Sequence, residues 1–158
     1  MVLGLHSGLH GVGWGVVSSS ESRLAYVAHG AIKPPPSLVV HRRLFLIFEG
    51  LAEVAALYPA HDAAIEADPE MDADRALEFG QVRASAVVAL AKAGLAVSEY
   101  ASSAMRRAVA DNLAGRNGIA FAVRRLFPAA HVTCAYAAAA LAVAMTHATV
   151  CRTRLFPS

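Results

Sequence analysis

Cysteine is nearly missing from this 158-residue chain: Cys134 and Cys151 are the only two. Two thiols give no disulfide framework, and their spacing is not that of a paired metal motif, so a reducing compartment is the default expectation. Aromatic residues are also scarce at 7%, against 56% hydrophobic residues overall. Alanine and valine therefore supply most of the apolar surface, and the core is built from small side chains. No basic, apolar and small-residue signal pattern precedes the first apolar stretch, so no removable targeting segment is read. Charge is sparse too, and the formal net value of +2 is too slight to imply a polyanionic partner by itself.

The charge that is present is segregated. Asp62, Glu66, Asp68, Glu70, Asp72, Asp74 and Glu78 stand against Arg75 alone, whereas Arg106, Arg107, Arg116, Arg124, Arg125, Arg152 and Arg154 dominate the later part. One acidic and one basic face are expected. Residues 132–150 are uncharged and approach the length of a membrane span. Their alanine and threonine content, with Tyr136 and His147, favours a buried or half-buried helix, and no membrane partner is expected.

The length suits one domain, residues 1–158. The opening "GLHSGLHGVGWGVV", residues 4–17, reads as strand, turn and strand, and residues 23–32 continue an antiparallel meander that Pro34, Pro35 and Pro36 end. Apolar residues then recur at helical spacing over 39–58, "DAAIE" at 62–66 reads as a short buried strand, and 75–93 as a long helix. A strand over 95–100 and helices over 102–113, 119–127 and 134–151 complete a mixed α/β sheet with helices packed on it.

Several of these stretches together resemble the RuvC family of Holliday-junction resolvases, in the ribonuclease H-like superfamily. "LGLHSGLHGVGWGVV" resembles the family's opening "LGIDPG" and its glycine-punctuated hairpin. "DAAIE" resembles the glutamate-bearing strand, "ALEFGQVRASAVVAL" the "LGQARG" helix, and "VSEY" and "AALAVAMTHA" the next strand and the terminal helix. The resemblance spans nearly the whole chain in order. It implies a ribonuclease H-like mixed five-stranded sheet with helices on both faces.

It also implies an active site of acidic residues that hold divalent metal and activate water. Carried over, the first-strand aspartate falls on His6, the glutamate on Glu66, and the two terminal-helix positions on Tyr136 and Ala139. Only Glu66 keeps a carboxylate. Two Mg²⁺ ions held close together need hard anionic oxygens to offset their repulsion, which imidazole, a protonated phenol and a methyl group do not supply. The family's DNA-handling loop falls on "ADPEMDAD", which is acidic and would repel phosphates.

The expectation drawn from this is a catalytically inactive, RuvC-like structural component of a larger assembly with no metal and no cofactor. The setting expected is a ribonucleoprotein such as a mitochondrial ribosome, with protein subunits and RNA as partners and an organellar matrix or the cytoplasm as location. The alternative is a metal-dependent junction-resolving endonuclease with an altered site and Mg as cofactor, or a non-cleaving binder of branched DNA. Arg106, Arg107, Arg116, Arg124 and Arg125 are the candidate nucleic-acid contacts. Phe79, Val82, Ala86 and Leu90 are the candidate interface, for a homodimer or a foreign chain, because the family dimerises through the matching helix.

Other readings stay open at this stage. His6 and His10 with Glu66 and His147 would make a Zn-like set, or His6 simply fills the cleft by hydrogen bonding to Glu66, whose pKa burial would then raise. Cys134 with His131 or His147 is either a nucleophilic pair or core packing. Trp14 either stacks on a base or packs. Tyr136 and Ala137 to Ala140 either meet another chain or let the terminal helix lie close on the sheet.

Overall fold

The computed structural model describes residues 1–20, 23–67, 73–110 and 118–155. Its sheet is assembled from β1 (Val2–Gly8), β2 (Gly11–Ser19), β3 (Leu24–Ile32), β4 (Asp62–Glu66) and β5 (Val97–Tyr100), in the order β3-β2-β1-β4-β5. The meander pairs antiparallel, while β4 joins β1 and β5 joins β4 in parallel. The helices are α1 (Val40–Leu57), α2 (Ala73–Lys92), α3 (Ser102–Ala110), α4 (Ile119–Leu126) and α5 (Ala135–Leu155), with a 3-10 turn at Pro128–Ala130. The expected five-stranded mixed sheet with helices on both faces is therefore what the chain forms.

Side-chain alternation along the central strands divides the core in two. Leu3, Leu5, Val12 and Val16 face α1 and α2, with Ala63 and Ile65 beside them. Val2 and Val17 face α5 and α4 instead, and Ala64 meets Met105 and Val143. Glycine makes the second layer thin. A Cβ on Gly4 would overlap the backbone of Ala140 and Ala144, and one on Gly13 the backbone of Tyr136. Glycine on the strands and alanine on α5 let helix and sheet approach closely, with Ala137, Ala138 and Ala140 at most 1% exposed. Close packing, rather than contact with another chain, accounts for that alanine run.

The expected interface is corrected here. Phe79, Val82, Ala86 and Leu90 are buried inside this chain, the last three against the sheet in the same layer as Leu51 and Ile65. The face that matches the family's dimerising helix is apolar, as expected, but the chain's own core covers it. The large apolar side chains exposed on the described part of α2 are Leu77 and Val88. Trp14 also packs, tilted against Tyr58 with ring centroids 5.7 Å apart. Among the described residues no helix is long and apolar enough to cross a membrane.

Candidate functional site

The parallel register of β1 and β4 builds the site. Gly4 lies beside Ala64 and Leu5 beside Ile65, so the next step brings His6 to Glu66 at the carboxyl ends of both strands. Alternation turns both side chains toward the face that α5 covers. His6 Nδ1 donates to Glu66 Oε2 at 2.5 Å, and Ser102, at the start of α3, donates to Oε1. Both carboxylate oxygens thus carry a partner. Arg83 from α2 donates to the Glu66 carbonyl at 3.0 Å and pairs with Glu99 at 2.7 Å, which fixes the strand end from behind.

Tyr136 closes one side, its ring 5.6 Å from that of His6 and beneath the ammonium of Lys33 at 4.7 Å. An open cleft of about 480 Å³ continues past it, lined by His10, Lys33, Pro34, Pro35, Pro36, Ala135 and Tyr136. Ala139, half-buried one turn along α5, offers no donor. The expected His6–Glu66 pair is present, and the wider Zn-like set is not. His10 lies by Glu78 at 3.7 Å, and His147 lies by Asp62.

Glu66 also departs from expectation in its acidity. Burial pushes its carboxyl up, but hydrogen bonds from His6 and Ser102, with the charges of His6 and Arg106, together hold it below its ordinary value of 4.5. The expectation of a raised pKa counted desolvation and omitted Ser102. A carboxylate whose folded pKa is depressed contributes stability above its unfolded pKa, and that contribution disappears as pH falls through the folded value. Glu66→Gln should therefore lower the melting temperature by a constant amount above about pH 5, with the gap to wild type closing below that. A gap that widens on acidification, in melts from pH 3 to 8, would refute the assignment.

The candidate nucleic-acid contacts are dispersed. Arg106 and Arg107 are exposed on α3, and Arg106 acts electrostatically on Glu66, which places its charge at the rim of the site. Arg124 and Arg125 lie on α4, where Arg124 Nε donates to the Val132 carbonyl at 2.7 Å. Arg116 and the acidic stretch 68–72 lie outside the described residues. Cys134 and His147 do not form a nucleophilic pair. The residue beside His147 is Cys151, one helical turn on, with Sγ 3.4 Å from Nε2.

The donor set can be tested against a pair of magnesium ions. Among the family positions the structure offers one carboxylate, already engaged on both oxygens, one imidazole, one phenol and one methyl group. Two adjacent dications need more anionic oxygen than this, including a bridging carboxylate, so the residues present do not fit that pair.

A family profile described as "Crossover junction endodeoxyribonuclease RuvC" matches residues 2–147. Relatives bearing that same description include one from Caulobacter sp. (strain K31), 42% identical over 93% of this chain and 88% of the relative. Another, from Rhodopseudomonas palustris (strain BisA53), is 40% identical over 93% of this chain and 86% of its own. The fold matches the Thermus thermophilus RuvC determined with a Holliday junction substrate, at a TM-score of 0.86 and 24% identity, covering 97% of this chain and 95% of that one.

These findings overturn the expected scaffold in an organellar ribonucleoprotein. The relatives are bacterial proteins named as junction endonucleases, similar along almost their whole length, and nothing in them points to ribosomal subunits or RNA. The expectation of no cofactor falls with it, because RuvC-family resolvases are metal-dependent, with Mg as the metal. Loss of ligands at three positions does not by itself imply loss of the activity.

Proposed function

This chain belongs to the RuvC family of crossover junction endodeoxyribonucleases, and from that premise we propose that it acts on four-way DNA junctions as a resolvase with an altered centre. The observation that carries the reading is the retention of Glu66, on the same strand end of an intact RuvC-type sheet, in a chain so similar to those relatives. The alteration lies in what surrounds the acid.

Glu66 is ionised at neutral pH and accepts Nδ1–H from His6. That hydrogen bond fixes the ring and leaves Nε2 as the ring nitrogen that Glu66 does not engage. An imidazole oriented in this way exchanges a proton with a water or with the leaving oxygen of a phosphodiester within about 3 Å. Arg106 brings positive charge to the same rim, where a phosphate carrying developing charge would be stabilised. The exposed Leu77 and Val88 on α2 supply an apolar face for a second copy, which a substrate with two equivalent strands would require.

The test is incubation with a four-way junction and with a linear duplex of the same sequence, in Mg²⁺ and in Mn²⁺. Symmetric nicking of the junction, absent on the duplex, is expected, with the rate reduced at least about 100-fold by Glu66→Gln. No junction nicking with either cation, or nicking indifferent to Glu66→Gln, would sink the proposal.

A further inference from the structure

The α5-facing side of β4 has chemistry at both ends. Glu66 occupies one, and Asp62, four residues earlier and about 13 Å away at 3.3 Å per residue, the other. Helix α5 runs from Tyr136 near the first to His147 and Cys151 near the second. The two α5 residues are four apart, which places them on one helix face a single turn apart.

There, Asp62, His147 and Cys151 offer one ligand atom each, all within 4.8 Å of one another. His147 Nε2 is 3.4 Å from Cys151 Sγ and 3.9 Å from Asp62 Oδ2. Tetrahedral zinc with ordinary bond lengths sets its N, O and S ligands about 3.4 to 3.6 Å apart, so closing the triangle takes only a small rotation of the half-exposed Asp62. The imidazole is held for the purpose: His147 is 5% exposed, and its Nδ1 shares a 3.0 Å hydrogen bond with the Tyr100 hydroxyl. A partner on the second ring nitrogen is what fixes a metal-binding histidine in orientation and tautomer.

We infer that Asp62, His147 and Cys151 form a zinc site at the end of the sheet opposite the Glu66 cleft. Thiolate, imidazole and carboxylate together suit zinc and disfavour magnesium, so the site is separate from the family's metal chemistry. On binding, the Cys151 thiol releases its proton to solvent and the thiolate takes one position, with a water in the fourth, on the side where Asp62 is exposed. The ion ties α5 to the first residue of β4. It does not depend on the resolvase reading.

The experiment uses the untagged full chain, titrated with Co²⁺ and with Zn²⁺. A thiolate-to-cobalt charge-transfer band should appear at one equivalent, and zinc about 100-fold above its Kd should raise the melting temperature by about 5 to 10 °C. Cys151→Ser should abolish the band, and Tyr100→Phe should weaken binding about 10-fold or more while keeping the fold. Cys134→Ser and Glu66→Gln should leave both signals unchanged. Absence of saturable binding, a band that survives Cys151→Ser, or one lost in Cys134→Ser would overturn the assignment.

Discussion

A chain carrying His6→Asp, Tyr136→Asp and Ala139→Asp should show a magnesium-dependent rise in melting temperature of about 5 to 10 °C, at Mg²⁺ about 100-fold above its Kd, and wild type a smaller rise at the same Mg²⁺ concentration. The reasoning is local. His6 occupies Glu66 Oε2, so replacing the imidazole by a carboxylate frees that oxygen and adds an anionic neighbour on the adjacent strand. Tyr136 and Ala139 are three apart on α5, both half-buried, and the Tyr136 ring already lies beside His6. Four carboxylates within one cleft repel one another when no cation is present. The metal-free variant should therefore melt several degrees below wild type, and millimolar Mg²⁺ should more than restore it. A wild-type shift as large as that of the variant would mean that one carboxylate binds magnesium as strongly as four do, which would refute this account of the ligand set.

Gly4→Ala and Gly13→Ala should each cost about 3 kcal/mol or more, a fall of about 6 to 12 °C in melting temperature. The added methyl at either position meets helix backbone, which cannot rotate away as a side chain can. Helix α5 would have to lift off the sheet, exposing a layer that includes Val2, Val17, Leu141 and Ala144. Both substitutions push the same helix, so their combined cost should be less than the sum of the two. Gly80→Ala is the control, since nothing lies within 4 Å of a Cβ there and alanine favours the helix. Thermal melts of the four variants decide it, and a neutral Gly4→Ala would refute the close-approach account.

The strands and helices were legible because pattern and boundary chemistry agree. β4 falls on Asp62–Glu66 as read, bounded by charged residues around three buried positions. In β1 and β2, Ser7, Gly8 and Gly11 carry turn chemistry, yet they continue the ladder almost to the hairpin tip. Gly4 and Gly13 were seen as punctuation of a hairpin, while their part in seating α5 depends on a helix more than a hundred residues away. The stripe from Phe79 to Leu90 shows the same limit: periodicity marks a face without saying whether core or partner covers it.

In the site, the pairing of His6 with Glu66 follows from the family resemblance, which sets both residues at one cleft, and the parallel register of β1 and β4 is what brings them together. Ser102 was missed, since nothing in its sequence context ties it to Glu66. His147 and Cys151 stand at helical spacing, which marks no site in the sequence because the third group, Asp62, arrives from a distant strand. The scaffold reading failed at another level. It turned missing ligands into a missing activity, a step that sequence similarity to junction endonucleases does not support.

The crossover that carries the chain from β3 through α1 to β4 also sets an order of assembly. The meander closes through short local contacts, whereas β4 must find β1 across a long loop, and His6 and Glu66 are 60 residues apart. Loop-closure entropy grows with that separation, and chains dominated by distant pairings fold more slowly. On that entropy the hairpins are favoured to close before the parallel strand and the terminal helix dock, the helix that brings Tyr136 to one end and His147 to the other. Each cluster of reactive groups is thus joined from segments distant in the sequence, so each needs the whole sheet and α5 in place, whereas most of the sheet does not need either cluster.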